Sequence, residues 1–265
     1  MDTAYMNEKF AYYHNLWEER KRDGVRRFLE GAPLSACISR VSLALSNMCN
    51  LADIHKKCPA STAGAKQIMK RKNIEKVVKD LQKVNFKGTI AFHLYNEPTN
   101  DPRLFDIAKY VKANLPGAEI FLYTNGFYLC QDMCDELEEI VDCITVTAYG
   151  KKELERLIKL KVSCGFYTFL GNLDDRLIQY DGESKDTLSK TPCRTFFDQI
   201  AVFPNGDIGL CCRDSKHEYS LENVFQGRKS FNNVIDSSKF RKFQTELLSG
   251  NREICDLCKN CELIL

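Results

Sequence analysis

No stretch of this chain approaches the roughly 18 consecutive apolar residues that carry a helix across a bilayer, so no membrane anchor is expected. The segment Met1 to Tyr13 has no apolar core of the kind that marks a secretory signal, which predicts an intracellular, cytoplasmic protein. Charge of one sign is also scarce. The 38 Lys and Arg stand against 36 Asp and Glu, a net +2, and this leaves no basic excess to draw the chain to nucleic acid. Glu18-Glu19-Arg20-Lys21-Arg22 and Arg26-Arg27 mix signs at helical spacing and read as a solvated helix face. Internal repeats and low-complexity tracts are absent as well.

What the chain does have is length, an ordinary apolar content and an unusual number of thiols. Its 265 residues, 44% hydrophobic and 28% charged, suffice for one large α/β fold with an extension. The 13 cysteines, in a chain without a secretion signal, point to metal ligands before disulfides, because cytosolic thiols stay reduced. Cys37, Cys130, Cys134, Cys143 and Cys164 lie in apolar or helical surroundings and read as buried small side chains.

Periodicity organises the rest. Residues 8–30 read as a helix, and 40–46 alternate as a first strand. Cys49 to Thr62 reads as a loop, and 65–84 as a helix with Ile68, Ile74, Val77, Val78 and Leu81 on its apolar face. Strands at 89–95, 119–124, 143–147 and 162–170 then alternate with helices at 103–114, 129–140 and 152–160. That rhythm means βαβ units and a parallel sheet. Five or six units are too few for a closed eight-fold barrel, so the fold predicted is α/β: an open, partial (β/α)6-type barrel with its site at the C-terminal strand ends. The organisation expected is a helical segment at 1–39, the barrel at 40–180, and a cysteine-rich extension at 181–265 that opens on the polar stretch 181–192. In the extension, Gln199 to Phe203, a Pro204-Asn205-Gly206-Asp207 turn and Ile208 to Cys211 form a hairpin.

Cys193 and Cys211 bracket that hairpin with 17 residues between them, and Cys255-Asp256-Leu257-Cys258-Lys259-Asn260-Cys261 supplies two overlapping C-x2-C pairs 44 positions later. Four soft ligands from a hairpin and a turn suit a tetrahedral zinc or an iron–sulfur cluster. The stretch Cys193 to Cys212, with Gly206 to Cys211 as G-x4-C, resembles the start of the SPASM/twitch extension of radical S-adenosylmethionine (SAM) enzymes. The resemblance runs through Lys239-Phe240-Arg241-Lys242-Phe243 and Leu247 to Arg252, and in all covers residues 40–262. It implies one auxiliary [4Fe–4S] cluster on Cys193, Cys211, Cys255 and Cys258, with Cys261 an alternative and Cys212 a bystander.

That family holds a second [4Fe–4S] cluster by C-x3-C-x2-C after the first strand. Here Cys49-Asn50-Leu51 matches the opening and Cys58-Pro59 the close, but the spacing is C-x5-H-x2-C, with His55 in the second ligand's place and Lys57 where the family has an aromatic residue. Three readings stand: His55 ligates, as imidazole does in Rieske centres; another residue such as Cys37 or Asp53 ligates; or the cluster is altered or lost.

Leu94-Tyr95-Asn96-Glu97-Pro98 stands where the family has G-G-E-P, which implies that Glu97, beside Asn96, accepts hydrogen bonds from the methionine ammonium of SAM. A helix-entry carboxylate is the other reading of Glu97. Thr124-Asn125-Gly126 matches the family's T-N-G turn, although Asn-Gly is common in turns. Thr145 and Thr147 alternate toward one strand face and can reach SAM, or serve as plain β-branched strand formers. Arg176, 17 positions before Cys193, resembles an arginine that twitch enzymes place at the substrate; a loop salt bridge is the alternative.

The resemblance implies two [4Fe–4S] clusters and SAM as cofactors, an external electron donor such as flavodoxin or ferredoxin, and hydrogen abstraction by a 5′-deoxyadenosyl radical. An auxiliary cluster favours oxidation, so a small polar substrate such as a sugar, cyclitol or antibiotic precursor is expected. Modification of a peptide, or a non-catalytic iron–sulfur protein with a decayed SAM site, are the alternatives.

Overall fold

The computed structural model describes residues 4–55, 58–62, 64–171, 191–211, 214, 219–227, 229–259 and 261. Strand β1 (Ala4–Met6) leads into helix α1 (Glu8–Leu29), and β2 (Arg40–Leu43) follows. After the short α2 (Pro59–Thr62) come α3 (Arg71–Lys83), β3 (Thr89–Ala91), α4 (Leu104–Asn114), β4 (Glu119–Thr124), α5 (Gln131–Glu138), β5 (Cys143–Ala148), α6 (Lys151–Leu157) and β6 (Gly165–Leu170). The C-terminal part adds α7 (Thr195–Asp198), β7 (Ile200–Val202), β8 (Asp207–Gly209), β9 (Glu222–Asn223), α8 (Phe231–Ile235), α9 (Ser238–Leu248) and α10 (Asp256–Lys259).

The nine strands among the described residues form one open sheet in the order β1-β6-β5-β4-β3-β2-β7-β8-β9. Strands β2 to β6 are parallel neighbours, as the βαβ rhythm requires. The sixth parallel strand comes from the hairpin: β7 lies along β2 with Val41 opposite Ile200 and Leu43 opposite Val202. The extension is therefore hydrogen-bonded into the barrel sheet. At the opposite edge β1 pairs antiparallel with β6.

Alternation along the strands separates two faces. Val41, Leu43, Ile90, Ile120, Leu122, Ile144 and Val146 join the main core with Ile74, Val77, Leu81, Ile107 and Val111 of the crossover helices. On the other face Phe121 and Cys143 pack with Phe10 and Tyr13 of α1, so the N-terminal helix covers the concave side. The extension shares the main core through Phe196, Phe231, Phe240 and Leu247.

Two expectations are corrected. Helix α3 starts at Arg71, well after residue 65, because a bridge between Ser46 and Ile68 and a bond from Met69 N to Leu45 O tether that stretch to the end of β2. Ile68 is accordingly exposed instead of facing the core. Cys130 is exposed too, since it is the extended residue that precedes α5, whereas Cys37, Cys134, Cys143 and Cys164 are buried.

Candidate active site and iron–sulfur centre

The C-terminal ends of β3, β4 and β5 and the loop after β2 enclose one pocket, lined by Cys49, His55, Cys58, Asn96, Glu97, Thr124, Asn125 and Thr147 together with Leu51, His93, Leu94, Tyr95, Tyr123 and Tyr149. The fold thus brings residues from four separate segments of sequence to one place. Thr145 is not among them. It sits one pair deeper in β5, buried.

The loop that bears Cys49, His55 and Cys58 is held by its own backbone: His55 N donates to Leu51 O at 2.8 Å and Cys58 N to His55 O at 3.0 Å. His55 is 4% exposed and Cys58 5%, which sets them apart from surface decoration. The His55 ring lies 5.3 Å from the ring of Tyr149. Cys49 Sγ accepts from Leu51 N at 3.4 Å and from Asn125 Nδ2 at 3.8 Å. Burial, with the charges of Glu97 and Cys58 behind it, raises the Cys49 pKa above the ordinary thiol value. Among the described residues no three His, Cys, Asp or Glu side chains close around a single metal ion. A four-iron cluster is bulkier than one ion and spaces its thiolates further apart, and two thiols with an imidazole on one pocket wall are a donor set that fits it. Neither of the other ligand candidates, Cys37 or Asp53, lines the pocket.

Glu97 is 2% exposed, and its carboxylate ties the pocket together. Oε1 accepts from Thr99 N at 3.1 Å, Thr99 Oγ1 at 2.7 Å and Thr124 Oγ1 at 2.6 Å, while Oε2 accepts from Asn125 N at 2.7 Å. Glu97 therefore does cap the short helical turn at Pro98–Asn100, and it also locks the loop after β3 to the turn after β4. Oε2, with one donor, keeps a lone pair for a ligand ammonium. Asn96 uses its amide on its own turn, bonding Leu94 N and Phe92 O. Gly126 has φ +75° and is pressed against Val146, so a side chain there would both strain and clash. Asn125 Nδ2 donates to Asn50 Oδ1 at 2.7 Å and joins that turn to the cysteine loop.

Below the mouth, His93 stacks on Tyr123 at 4.0 Å, and the Arg40 guanidinium lies between Tyr123 at 5.1 Å and Trp17 of α1 at 4.1 Å. Burial raises the Tyr123 pKa, so the phenol stays neutral. Sequence reasoning missed His93, Tyr123 and Tyr149. Continuing the alternation of β3 from Thr89 and Ala91 puts His93 on the inner face, and that signal was available.

In the extension, Cys193, Cys211 and Cys255 all act on Cys258. The thiol of Cys258 is pushed up by its hydrogen bond with Cys255, by burial and by the charges of Cys255, Cys211 and Cys193, while Cys255 is pushed down by the bond from Cys258. Cys258 N donates to Cys255 Sγ at 3.3 Å, and Cys261 N to Cys258 O at 3.3 Å closes the turn. Thiolates are the donors that iron–sulfur clusters take, so a set of four cysteines here also fits a cluster. Arg176, Lys57 and Cys212 and the stretch 181–190 lie outside the described residues.

Residues 193–262 match the SPASM model, an iron–sulfur cluster-binding domain. With the open parallel sheet and the pocket at its strand ends, the chain combines a SPASM-type iron–sulfur cluster-binding domain at residues 193–262 with a fold similar to that of radical SAM enzymes. The chain is 24% identical over 242 residues to the S-adenosyl-L-methionine-dependent 2-deoxy-scyllo-inosamine dehydrogenase of Niallia circulans, which spans 84% of this chain and 92% of that protein. The structure of BtrN in complex with AdoMet and 2-DOIA superposes with a TM-score of 0.67 at 20% identity, over 86% of this chain and 94% of BtrN. That of anSMEcpe with bound AdoMet superposes with 0.57 at 14% identity, over 85% and 88%. Among the described residues no helix is long and apolar enough to cross a membrane.

Proposed function

We propose that this chain is a radical SAM dehydrogenase that oxidises an alcohol of a small polar molecule, with an aminocyclitol of the 2-deoxy-scyllo-inosamine kind as the leading candidate. It would work in the cytoplasm, with electrons from a flavodoxin or ferredoxin. The observation that carries the reading is the convergence of Cys49, His55 and Cys58 with Glu97 and Asn125 in one pocket, in a chain whose residues 193–262 match an iron–sulfur cluster-binding domain. When bound, the reduced N-terminal cluster and SAM supply a 5′-deoxyadenosyl radical, and the protein positions and shields that chemistry.

The chain's own residues do the positioning. Glu97 Oε2 receives the methionine ammonium, a charge-assisted bond from a carboxylate already held by four donors. Thr147 and Asn125 present further polar groups on the facing strand ends, and Thr124 fixes Glu97. Tyr149 and Leu51 supply apolar wall that keeps water from the reacting carbon. The His93–Tyr123 stack floors the pocket, and Arg176 contacts the substrate from the segment before the extension.

A second reading, an iron–sulfur protein without SAM cleavage, draws on His55, since imidazole ligation raises a cluster's potential and makes SAM harder to reduce. The test separates them. The full chain, reconstituted anaerobically with iron and sulfide, is given dithionite, SAM and 2-deoxy-scyllo-inosamine. About eight irons per chain, 5′-deoxyadenosine and a ketone two mass units below the alcohol are expected. No 5′-deoxyadenosine from a fully loaded chain would leave the second reading in place.

A further inference from the structure

A second cleft lies at the other end of the strands, between one face of α1, the turn before β2 and the loop before β3. It encloses about 430 Å³ and shares no residue with the pocket at the C-terminal strand ends. That volume falls in the range of roughly 300–1,000 Å³ typical of small-molecule sites. Two close approaches of backbone set its walls. A Cβ at Gly24 would meet Cys37 O at 2.1 Å, and one at Gly88 would meet Ser39 O at 2.4 Å. Glycine inside a helix costs about 1 kcal/mol relative to alanine, and α1 keeps Gly24 because only a bare backbone can lie against that turn. Buried Ile38 and Phe86 give the cleft an apolar wall.

The charges that line it are unevenly paired. Arg20 is held by Glu119 at 2.8 Å, and Asp23 is taken by Arg26, which also binds Glu30. Half-buried Arg27 and exposed Lys87 line the cleft and take part in no ion pair. Burial raises the Cys37 thiol and the charge of Arg27 pulls against it, which sets that guanidinium beside the inner wall. Glu19 is the remaining acid, eight residues before Arg27 and so about 12 Å away along the helix axis. The α1 face that reads in sequence as merely solvated thus carries a cation whose partner is not a side chain.

We propose that this cleft is a second ligand site, which takes a small anion with an apolar body: a carboxylate or phosphate on Arg27, with Lys87 adding charge, and the body against Leu16, Ile38 and Phe86. A guanidinium offers such groups two parallel N–H donors, and charge-assisted bonds of this kind are the strong ones. The inference depends neither on the reaction at the other end of the strands nor on its substrate.

The experiment is a calorimetric titration of the full chain, reconstituted anaerobically and kept in excess SAM, with phenyl phosphate, with benzoate and with uncharged benzyl alcohol. Arg27→Gln, Lys87→Gln, Ala36→Trp and Glu97→Gln are titrated beside the parent, and circular dichroism checks that each is folded. At least one of the two anions is expected to bind saturably, one per chain, and to raise the melting temperature. Benzyl alcohol should bind about tenfold more weakly or not at all, and Arg27→Gln should lower the affinity for the anion by about tenfold, the worth of one charge-assisted bond. A smaller loss is expected in Lys87→Gln, and Ala36→Trp, which puts an indole into the cleft, should abolish binding. Glu97→Gln, at the far end of the strands, should bind as the parent does. No saturable binding of either anion to the parent overturns the proposal, as does unchanged affinity in Arg27→Gln or equal affinity for benzyl alcohol. Binding lost in Glu97→Gln and kept in Arg27→Gln would put the anion in the other pocket and overturn it too. If Ala36→Trp fails to fold, Arg27→Gln decides.

Discussion

His55 stands where an all-thiolate set would have a cysteine, and it is buried on the wall that carries Cys49 and Cys58. A neutral imidazole in place of a thiolate leaves the cluster with one negative charge fewer and so a higher potential. His55→Cys is therefore expected to keep about eight irons per chain and to lower the midpoint of the N-terminal cluster. His55→Ala is expected to drop iron to about four per chain and to abolish 5′-deoxyadenosine formation. Iron analysis and a redox titration check both. If His55→Ala keeps full iron and activity, the third ligand lies elsewhere. The motif offset alone suggested this histidine; its burial is what distinguishes it from a loop side chain. The opposite holds for Glu97, whose position after a strand was legible but whose role as the knot between two loops was not, because Thr124 and Asn125 are 27 and 28 residues away.

Among the elements, α1 has the clearest dependence on a single residue. Asn7 Oδ1 accepts from Phe10 N at 2.9 Å as the helix N-cap and from Phe166 N at 2.9 Å, while Nδ2 donates to Cys164 O at 2.8 Å. One amide thus starts the helix and fixes it to β6, which places Trp17 over Arg40 beneath the pocket. Asn7→Ala is expected to cost about 2 kcal/mol, from a lost cap and two partly buried bonds. A urea titration would show it as a lower midpoint with an unchanged slope, and a midpoint within error of the parent would refute it. The same element shows how far sequence reaches. Helix α1 and strand β4 were legible nearly to their ends, since one has a long amphipathic period and the other strict alternation between turns. Strand β1 was not, being three exposed residues whose pairing with β6 is a backbone matter. Nor was the docking of β7 beside β2, a contact between residues about 160 positions apart that leaves no local period. The pocket's motif residues could be read one by one, but His93 and Tyr123 belong to it only because the sheet curves.

At the scale of the whole molecule, the thiols that line neither candidate centre still shape its response to pH. Burial pushes Cys37 and Cys134 up to about 11 and Cys164 up to about 12, and Cys143 is raised for the same reason. An unfolded thiol ionises near about 8.5. Below that value both states hold the proton and pH has no leverage through these groups. Above it the unfolded chain releases protons that the folded chain keeps, so the unfolded state gains and stability falls until the folded thiols ionise in turn. The expected profile is a urea midpoint level through neutral pH that declines from about pH 8.5 toward pH 11, the folded value of Cys37 and Cys134. Cys134→Ala removes one such group and, at the cost of some packing, should make the decline shallower. A decline equally steep in Cys134→Ala would place its origin elsewhere, with Tyr13 next, whose phenol is raised to about 12 against the concave face by burial and by Asp142. The same burial predicts which thiols react first: at neutral pH a short pulse of iodoacetamide should label exposed Cys130 well before Cys37, Cys134, Cys143 or Cys164. The two effects have one cause, so labelling of Cys37, Cys134, Cys143 or Cys164 in the folded chain as fast as that of Cys130 would contradict the assignment of both to burial.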